Sequence, residues 1–182
     1  RTDISWLHAN QNMKLQATNP NKDLMHYYLP SCPEGALNVR SFQSVQYLNL
    51  YPGIDVHWYY QDNGLKYDYL LAPGADYRMI RMQIEGYQSI SIDPNGALRI
   101  FTPMGILSED APVVKQGNRI LPARWQIAGN QVSFDIEGVN ANLPLLIDPA
   151  VRIWGTYYGA SATEQIRGGI SDSREFMNVV GY

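Results

Sequence analysis

Apolar and polar residues alternate with a period of two along much of this chain, and the alternation is clearest from Phe42 onward. Val45 and Tyr47 alternate with Ser44 and Gln46, Asn49 interrupts the apolar side, and Tyr51-Pro52-Gly53 closes the run as a turn. Val56, Trp58 and Tyr60 then share one face of the next predicted strand, with Asp55, His57 and Tyr59 on the other. After Asp62-Asn63-Gly64 the face returns as Leu65, Tyr67, Tyr69 and Leu71. Asn-Gly supplies the positive φ values of a tight turn, so these two runs predict a β-hairpin. Ile80, Met82 and Ile84 form an amphipathic strand, and Ser89 to Ile92 with Ala97 to Thr102 form a second hairpin around Asp93-Pro94-Asn95-Gly96. Two hairpins flanking an amphipathic strand predict an antiparallel sheet with one wet and one dry face.

The remaining pattern is shorter-ranged. Leu24 to Leu29 predicts a short strand closed by Pro30 and Pro33, preceded by a turn at Asn19-Pro20-Asn21-Lys22-Asp23, and Met13, Leu15 and Ala17 alternate across a weak strand before it. Downstream, short strands are predicted at Gly105 to Leu107, Val113 to Lys115, Arg119 to Leu121, Trp125 to Ile127, Gln131 to Glu137 and Leu143 to Ile147, with turns at Gly117-Asn118 and Gly129-Asn130. No run of ten or more residues has helical periodicity with caps, which disfavours parallel βαβ architecture. The expected fold is all-β, with antiparallel hairpins forming a β-sandwich-like domain over residues 1–149. Pro149 is a natural boundary, and residues 150–182 read as a linker strand followed by the opening of a repeated unit.

Composition narrows the functional classes. Thirteen tyrosines and four tryptophans against four phenylalanines suit half-buried strands. The net charge of −3, with Lys and Arg scattered, lacks the clustered positive surface that nucleic acid demands. No apolar stretch reaches the roughly 18 residues of a membrane-spanning helix. Cys32 is the single cysteine, so an internal disulfide framework is excluded. The chain starts at Arg1 without a methionine and ends directly after a strand-like run, which reads as an excerpt from a longer polypeptide.

Candidate chemistry is sparse. His8, His26 and His57 lack metal-ligand spacing, and Asp93-Pro94-Asn95-Gly96 lacks the third acidic position and distal Glu of a calcium loop, so turn formation accounts for it. Asp55 and His57 share a strand face, but such neighbours point outward in parallel rather than toward one another, and no G-x-S-x-G elbow or phosphate-cradling glycine loop occurs. Asp55, Asp68, Glu85, Glu109 and Asp110 are candidates for paired carboxylates around one sheet edge, and Trp58, Tyr59 and Tyr60 are candidates for a sugar-stacking surface. The competing account is that alternate aromatics face a core.

Several phrases carry a resemblance. Asn38-Val39-Arg40-Ser41-Phe42, the stretch Leu50-Tyr51-Pro52-Gly53-Ile54-Asp55-Val56, Asn63-Gly64-Leu65-Lys66-Tyr67-Asp68-Tyr69 and Pro73-Gly74-Ala75-Asp76 are followed by Leu146-Ile147-Asp148-Pro149 and Trp154-Gly155-Thr156-Tyr157-Tyr158-Gly159. Together they resemble the β-rich domain that precedes propeller-type SBBP repeats in large exported proteins of Bacteroidetes. Those proteins commonly end in gliding-motility-associated or type IX secretion sorting domains. The resemblance runs from about Leu24 to the end and implies that the start of the domain is absent. It also implies that Gln165 to Tyr182 belongs to the first repeat, although Ser171 to Glu175 departs from the family's glycine-containing turn.

The resulting expectation is a non-catalytic structural or protein-interaction module of an exported protein at the cell surface or outer membrane, with no cofactor, metal or nucleic acid. Its expected partners are downstream propeller repeats of the same chain and an outer-membrane or secretion-system protein. The expected interaction surface comprises Trp58, Tyr59, Tyr60 and Trp125. The alternative is a carbohydrate-binding or polysaccharide-processing module that uses exposed aromatics beside carboxylates.

Overall fold

The computed structural model describes residues 2–61, 64–103, 105–149 and 151–153, which form antiparallel strands and one 3₁₀ turn, Tyr77–Met79. The strands in chain order are β1 (Asp3–Trp6), β2 (Lys14–Leu29), β3 (Cys32–Tyr51), β4 (Ile54–Gln61), β5 (Gly64–Leu71), β6 (Arg81–Glu85), β7 (Ser89–Ile92) and β8 (Leu98–Thr102). They continue as β9 (Gly105–Glu109), β10 (Val113–Gln116), β11 (Arg119–Leu121), β12 (Ala123–Ala128), β13 (Gln131–Ile136), β14 (Leu145–Asp148) and β15 (Val151–Ile153). The all-β, hairpin-rich class read from the alternation is thus found. The tail assigned to a propeller-type repeat lies, beyond residue 153, outside the described residues.

The described strands form three sheets, and the two hairpins and amphipathic strand expected to share one sheet are divided among them. A seven-stranded main sheet has the order β11-β10-β14-β5-β4-β3-β2, a front sheet the order β1-β6-β13-β12, and a small sheet the order β15-β9-β8-β7. The two predicted hairpins and the strand between them fall into different sheets: β4-β5 in the main sheet, β6 in the front sheet, β7-β8 in the small one. Local alternation specifies which face of a strand is dry but not which strand lies beside it. β6 pairs with β1 and β13 rather than with either flanking hairpin, and β14 enters the main sheet between β10 and β5.

Local turn chemistry behaves as the residues dictate. Gln61 pairs with Gly64, leaving a two-residue connection between β4 and β5. At the β7-β8 turn the Asp93 carboxylate accepts from the backbone N–H groups of Asn95 and Ala97 at 2.9 and 3.1 Å and from the Arg99 guanidinium. Those hydrogen bonds, Arg99 first, hold its carboxyl below the usual range. Asn49, the polar interruption in β3, has φ 59°, and its N–H donates to Asp55 Oδ1 at 2.6 Å. The bulge it makes turns consecutive residues Leu50 and Tyr51 into the core, 0% and 1% exposed, which strict alternation forbids.

One hydrophobic core lies where the sheets meet. Val56, Tyr67, Tyr69, Val114 and Ile147 enter it from the main sheet, Met82, Ile84, Trp125 and Phe134 from the front sheet, and Leu98 and Ile100 from the small sheet. Tyr69 stands edge-on to Phe134 across the main and front sheets, at 5.7 Å, and its hydroxyl accepts from Trp6 Nε1 at 2.8 Å. Tyr51 donates to the Leu7 carbonyl and Tyr77 to the Ile136 carbonyl.

The loop from Glu137 to Pro144 is held by one buried amide. Gln116 Nε2 donates to the carbonyl of Asn140 at 3.0 Å and lies 3.3 Å from that of Leu143, while its Oε1 accepts from the Asn140 N–H at 2.8 Å. Gln116→Leu keeps the volume and removes these bonds, each worth about 0.5–1.5 kcal/mol where water can reach the freed backbone groups. A urea midpoint lowered in proportion to a loss of about 1–2 kcal/mol is the expected result.

Candidate interaction surface

β3 is paired on both sides only between Ser44 and Tyr47; from Gln43 back to Cys32 its partner among the described residues is β2 alone. The two strands therefore run past the main sheet as a two-stranded arm, residues 19–43, that turns at Pro30-Ser31, where Leu29 faces Cys32. At about 3.3 Å per residue the arm extends roughly 35–40 Å. The turn expected at Asn19 to Asp23 is instead a bulge. Asn19 takes φ 55° and three residues of β2, Asn21 to Asp23, lie opposite one of β3, Ser41, so the strand bends and continues.

Cross-strand register assigns the arm's faces. Met25 lies opposite Val39, Tyr27 opposite Ala36 and Leu29 opposite Cys32, and all six are half-buried. The Tyr27 hydroxyl reaches Met25 Sδ at 3.4 Å, confirming the shared side. Counting back along β3 from Val45, which packs on the core, places Val39 on the core-facing side of the main sheet. The dry face thus continues out along the arm, interrupted by a polar belt in which Asn21 donates to Ser41 Oγ at 2.8 Å. Leu24, His26, Tyr28 and Arg40 are exposed on the other side. His26 Nδ1 accepts from the N–H of Asn38, itself at φ 59°.

The four aromatics proposed from sequence do not form one surface. Trp125 is 2% exposed, packs on Phe134 at 4.7 Å and donates through Nε1 to the Asp110 carbonyl at 2.8 Å. Trp58 is half-buried against Tyr67 and Trp6 at 4.7 and 6.2 Å on the dry side. Tyr60, 39% exposed, follows on that same side toward the arm. Tyr59 is on the outer face beside His57, with ring centroids 5.2 Å apart, and donates to Asp68 Oδ1 at 3.3 Å. Burial, then the Asp148 carboxylate, push the Asp68 carboxyl up, while Tyr59, His57 and Lys115 oppose the shift.

The candidate carboxylates do not gather at one edge either. Asp55 and Asp68 belong to the main sheet, Glu85 to the front sheet, and Glu109 and Asp110 to the end of β9. Among the described residues no three His, Cys, Asp or Glu side chains converge as a metal site, and no helix is long and apolar enough to cross a membrane. The arm escaped the sequence reading, hidden by the turn-like composition of Asn19 to Asp23, whereas Glu109 was among the candidate carboxylates and tertiary packing alone sets it against Tyr67.

Gly35 tests the arm's local design. It has φ 78°, and a Cβ there would lie 2.8 Å from Tyr28 Cε1. Gly35→Ala should loosen the ribbon by about 1 kcal/mol through backbone strain alone. Faster amide exchange confined to residues 20–43, with an unchanged melting temperature for the rest, is the expected readout.

No curated protein and no solved structure matches the chain. One family model does, over residues 1–150, and it bears the description "Domain of unknown function (DUF7948)". Spanning the arm, the three-sheet core and all strands through β14, that match shows that the chain belongs to the DUF7948 family.

Proposed function

We propose that this domain is a non-catalytic structural or protein-interaction module of a large exported cell-surface protein, and that the arm is its docking element. The observation that supports this reading is the apolar strip Met25, Tyr27, Leu29, Ala36 and Val39 on a ribbon that, among the described residues, has no third strand at its side. An isolated two-stranded hairpin is at best marginally stable in water, so a ribbon of this length gains most when its dry face is covered. On this reading the protein's sheets form a sandwich-like platform, residues 150–182 are a linker strand and the opening of a propeller-type repeat, and the arm reaches toward such repeats or toward an outer-membrane or secretion-system protein. An association with gliding motility or type IX secretion rests on the resemblance of the Leu50 to Asp55, Asn63 to Tyr69 and Pro73 to Asp76 phrases.

Carbohydrate binding is the second reading. Tyr59 beside Asp68 on the outer face supports it, whereas Trp125 has no free ring face and Trp58 is turned inward. A flat sheet with one tyrosine offers a sugar less stacking area than a groove lined by two aromatics.

The deciding experiment replaces Tyr27 and Val39 with lysine in the full-length protein and maps cross-links in the native envelope. The expected outcome is loss of most cross-links made by residues 20–43, with the domain's melting temperature within a few degrees of wild type. Unchanged cross-links, or an arm that cross-links to nothing in the wild type, would overturn the docking role. Retention by a polysaccharide matrix that Tyr59→Ala abolishes would favour the second reading.

A further inference from the structure

Glu109, half-buried, closes β9 on the small sheet and reaches the main sheet, where the Tyr67 hydroxyl donates to Oε2 at 2.8 Å. Tyr67 is itself 4% exposed, stacked under Trp58 and edge-on to Tyr69 at 5.5 Å. Both phenols also touch the Met82 sulfur, at 4.0 and 3.5 Å. The carboxyl therefore meets one neutral donor, which is itself set among aromatic rings and a thioether.

No positive charge offsets it among the residues whose side chains are described. In register it faces Leu98 on β8 and the backbone of Val151 on β15. The titratable groups near it from β5 are Tyr67 and Tyr69, with Tyr51 behind Tyr69, and all three are neutral phenols whose pKa values are raised, chiefly by burial. Arg99, one residue along β8, is on the opposite side of the small sheet, engaged with Asp93 and Ser108. A carboxylate so placed loses hydration without gaining an ion pair, which makes its charged form costly. Burial accordingly pushes the Glu109 pKa up to about 7, against the partial relief of the Tyr67 hydroxyl.

The geometry is that of a joint between sheets. β9 is the central partner of β8 and β15, whereas β5 is in the middle of the main sheet, so the Tyr67-Glu109 hydrogen bond spans the seam between them. We propose that Glu109 and Tyr67 form a proton-operated latch: with Glu109 protonated the small sheet stays closed on the main sheet, and when that proton is lost the small sheet, β15 included, opens locally to hydrate the carboxylate. Opening of a single sheet is the kind of sub-global event that folded proteins undergo without unfolding.

The sign follows from linkage. The open state releases its proton near the ordinary Glu value, about 4.3, and the closed state only near 7. The closed state therefore holds the extra proton between these limits. Its advantage is complete below about pH 4, falls as pH rises through the window, and is gone above pH 7.

The test is native-state hydrogen exchange on the full chain between pH 5 and pH 7.5, with opening constants corrected for the intrinsic rate. Amides of β8 and β9 should open on the order of a hundredfold more readily at pH 7.5 than at pH 5, those of β12 and β13 much less. Glu109→Gln should flatten the dependence to within a few-fold. Tyr67→Phe, which removes the donor favouring the carboxylate, should move the upper end of the transition to higher pH. A flat wild-type profile, an equally steep Glu109→Gln profile, or equal loosening of all three sheets overturns the latch. Where Glu109→Gln fails to fold, an unmoved transition in Tyr67→Phe has the same force.

Discussion

A phenol enters a protein interior only if its hydroxyl finds a partner, and in this domain that requirement orders the whole assembly. Four of the core tyrosines find those partners on other elements of the fold. Tyr69 accepts from Trp6 of the front sheet, Tyr67 donates to Glu109 of the small sheet, Tyr51 donates to the carbonyl of Leu7 just after β1, and Tyr77 to that of Ile136 in β13. Apolar area supplies the drive to bury these rings, but it is indifferent to small rotations of one sheet on another. The hydroxyls are directional. They set the mutual orientation of three sheets that share only a greasy interior, and they explain why this chain uses tyrosine where phenylalanine would bury as much ring.

The strands themselves were legible, for reasons that can be named. Alternation along Val56 to Tyr60 and Leu65 to Leu71, with Asn63-Gly64 between, leaves little else for the backbone to do, and β4-β5 follows. Asp93 similarly fixes its own turn with local bonds. Sheet membership was not legible, because β6 alternates in the same way whether its neighbours are β5 and β7 or, as found, β1 and β13. Trp125 illustrates the matching limit for single residues. Its two neighbours on the same strand face, Ala123 and Ile127, are only half-buried, and its burial comes from Phe134 and the carbonyl of Asp110, contacts that belong to the tertiary fold. The arm was lost for a different reason: asparagine, proline and lysine in sequence are turn-like, yet a bulge uses the same residues to bend a strand without ending it.

Two polarities of the main sheet follow. Near its centre both the strand neighbours and the dry face are covered, and side chains such as Val56 and Ile147 are inaccessible. Toward β2 the cover thins, from Trp58 under Trp6, through the half-exposed Tyr60, to the ribbon whose apolar side meets no other sheet among the described residues. The guarded outer edge, with its bulge and Pro20, disfavours addition of another strand there, so the faces of the ribbon rather than its edge are the surfaces suited to contact.

The place of β14 bears on how the chain comes to be folded at all. Leu145 to Ile147 pair with β5 on one side, and Leu146 to Asp148 with β10 on the other, so the middle of the main sheet is supplied by the last described strand of the family domain. A nascent or unfolded chain can close the β2-β3-β4-β5 meander early, from local turns. It then waits with the edge of β5 open until residues more than seventy positions later arrive. Such long-range closure is slow and leaves an unpaired strand edge exposed in the interval. The domain therefore has a built-in period of vulnerability to misassembly that ends only when its final strand slots into the gap.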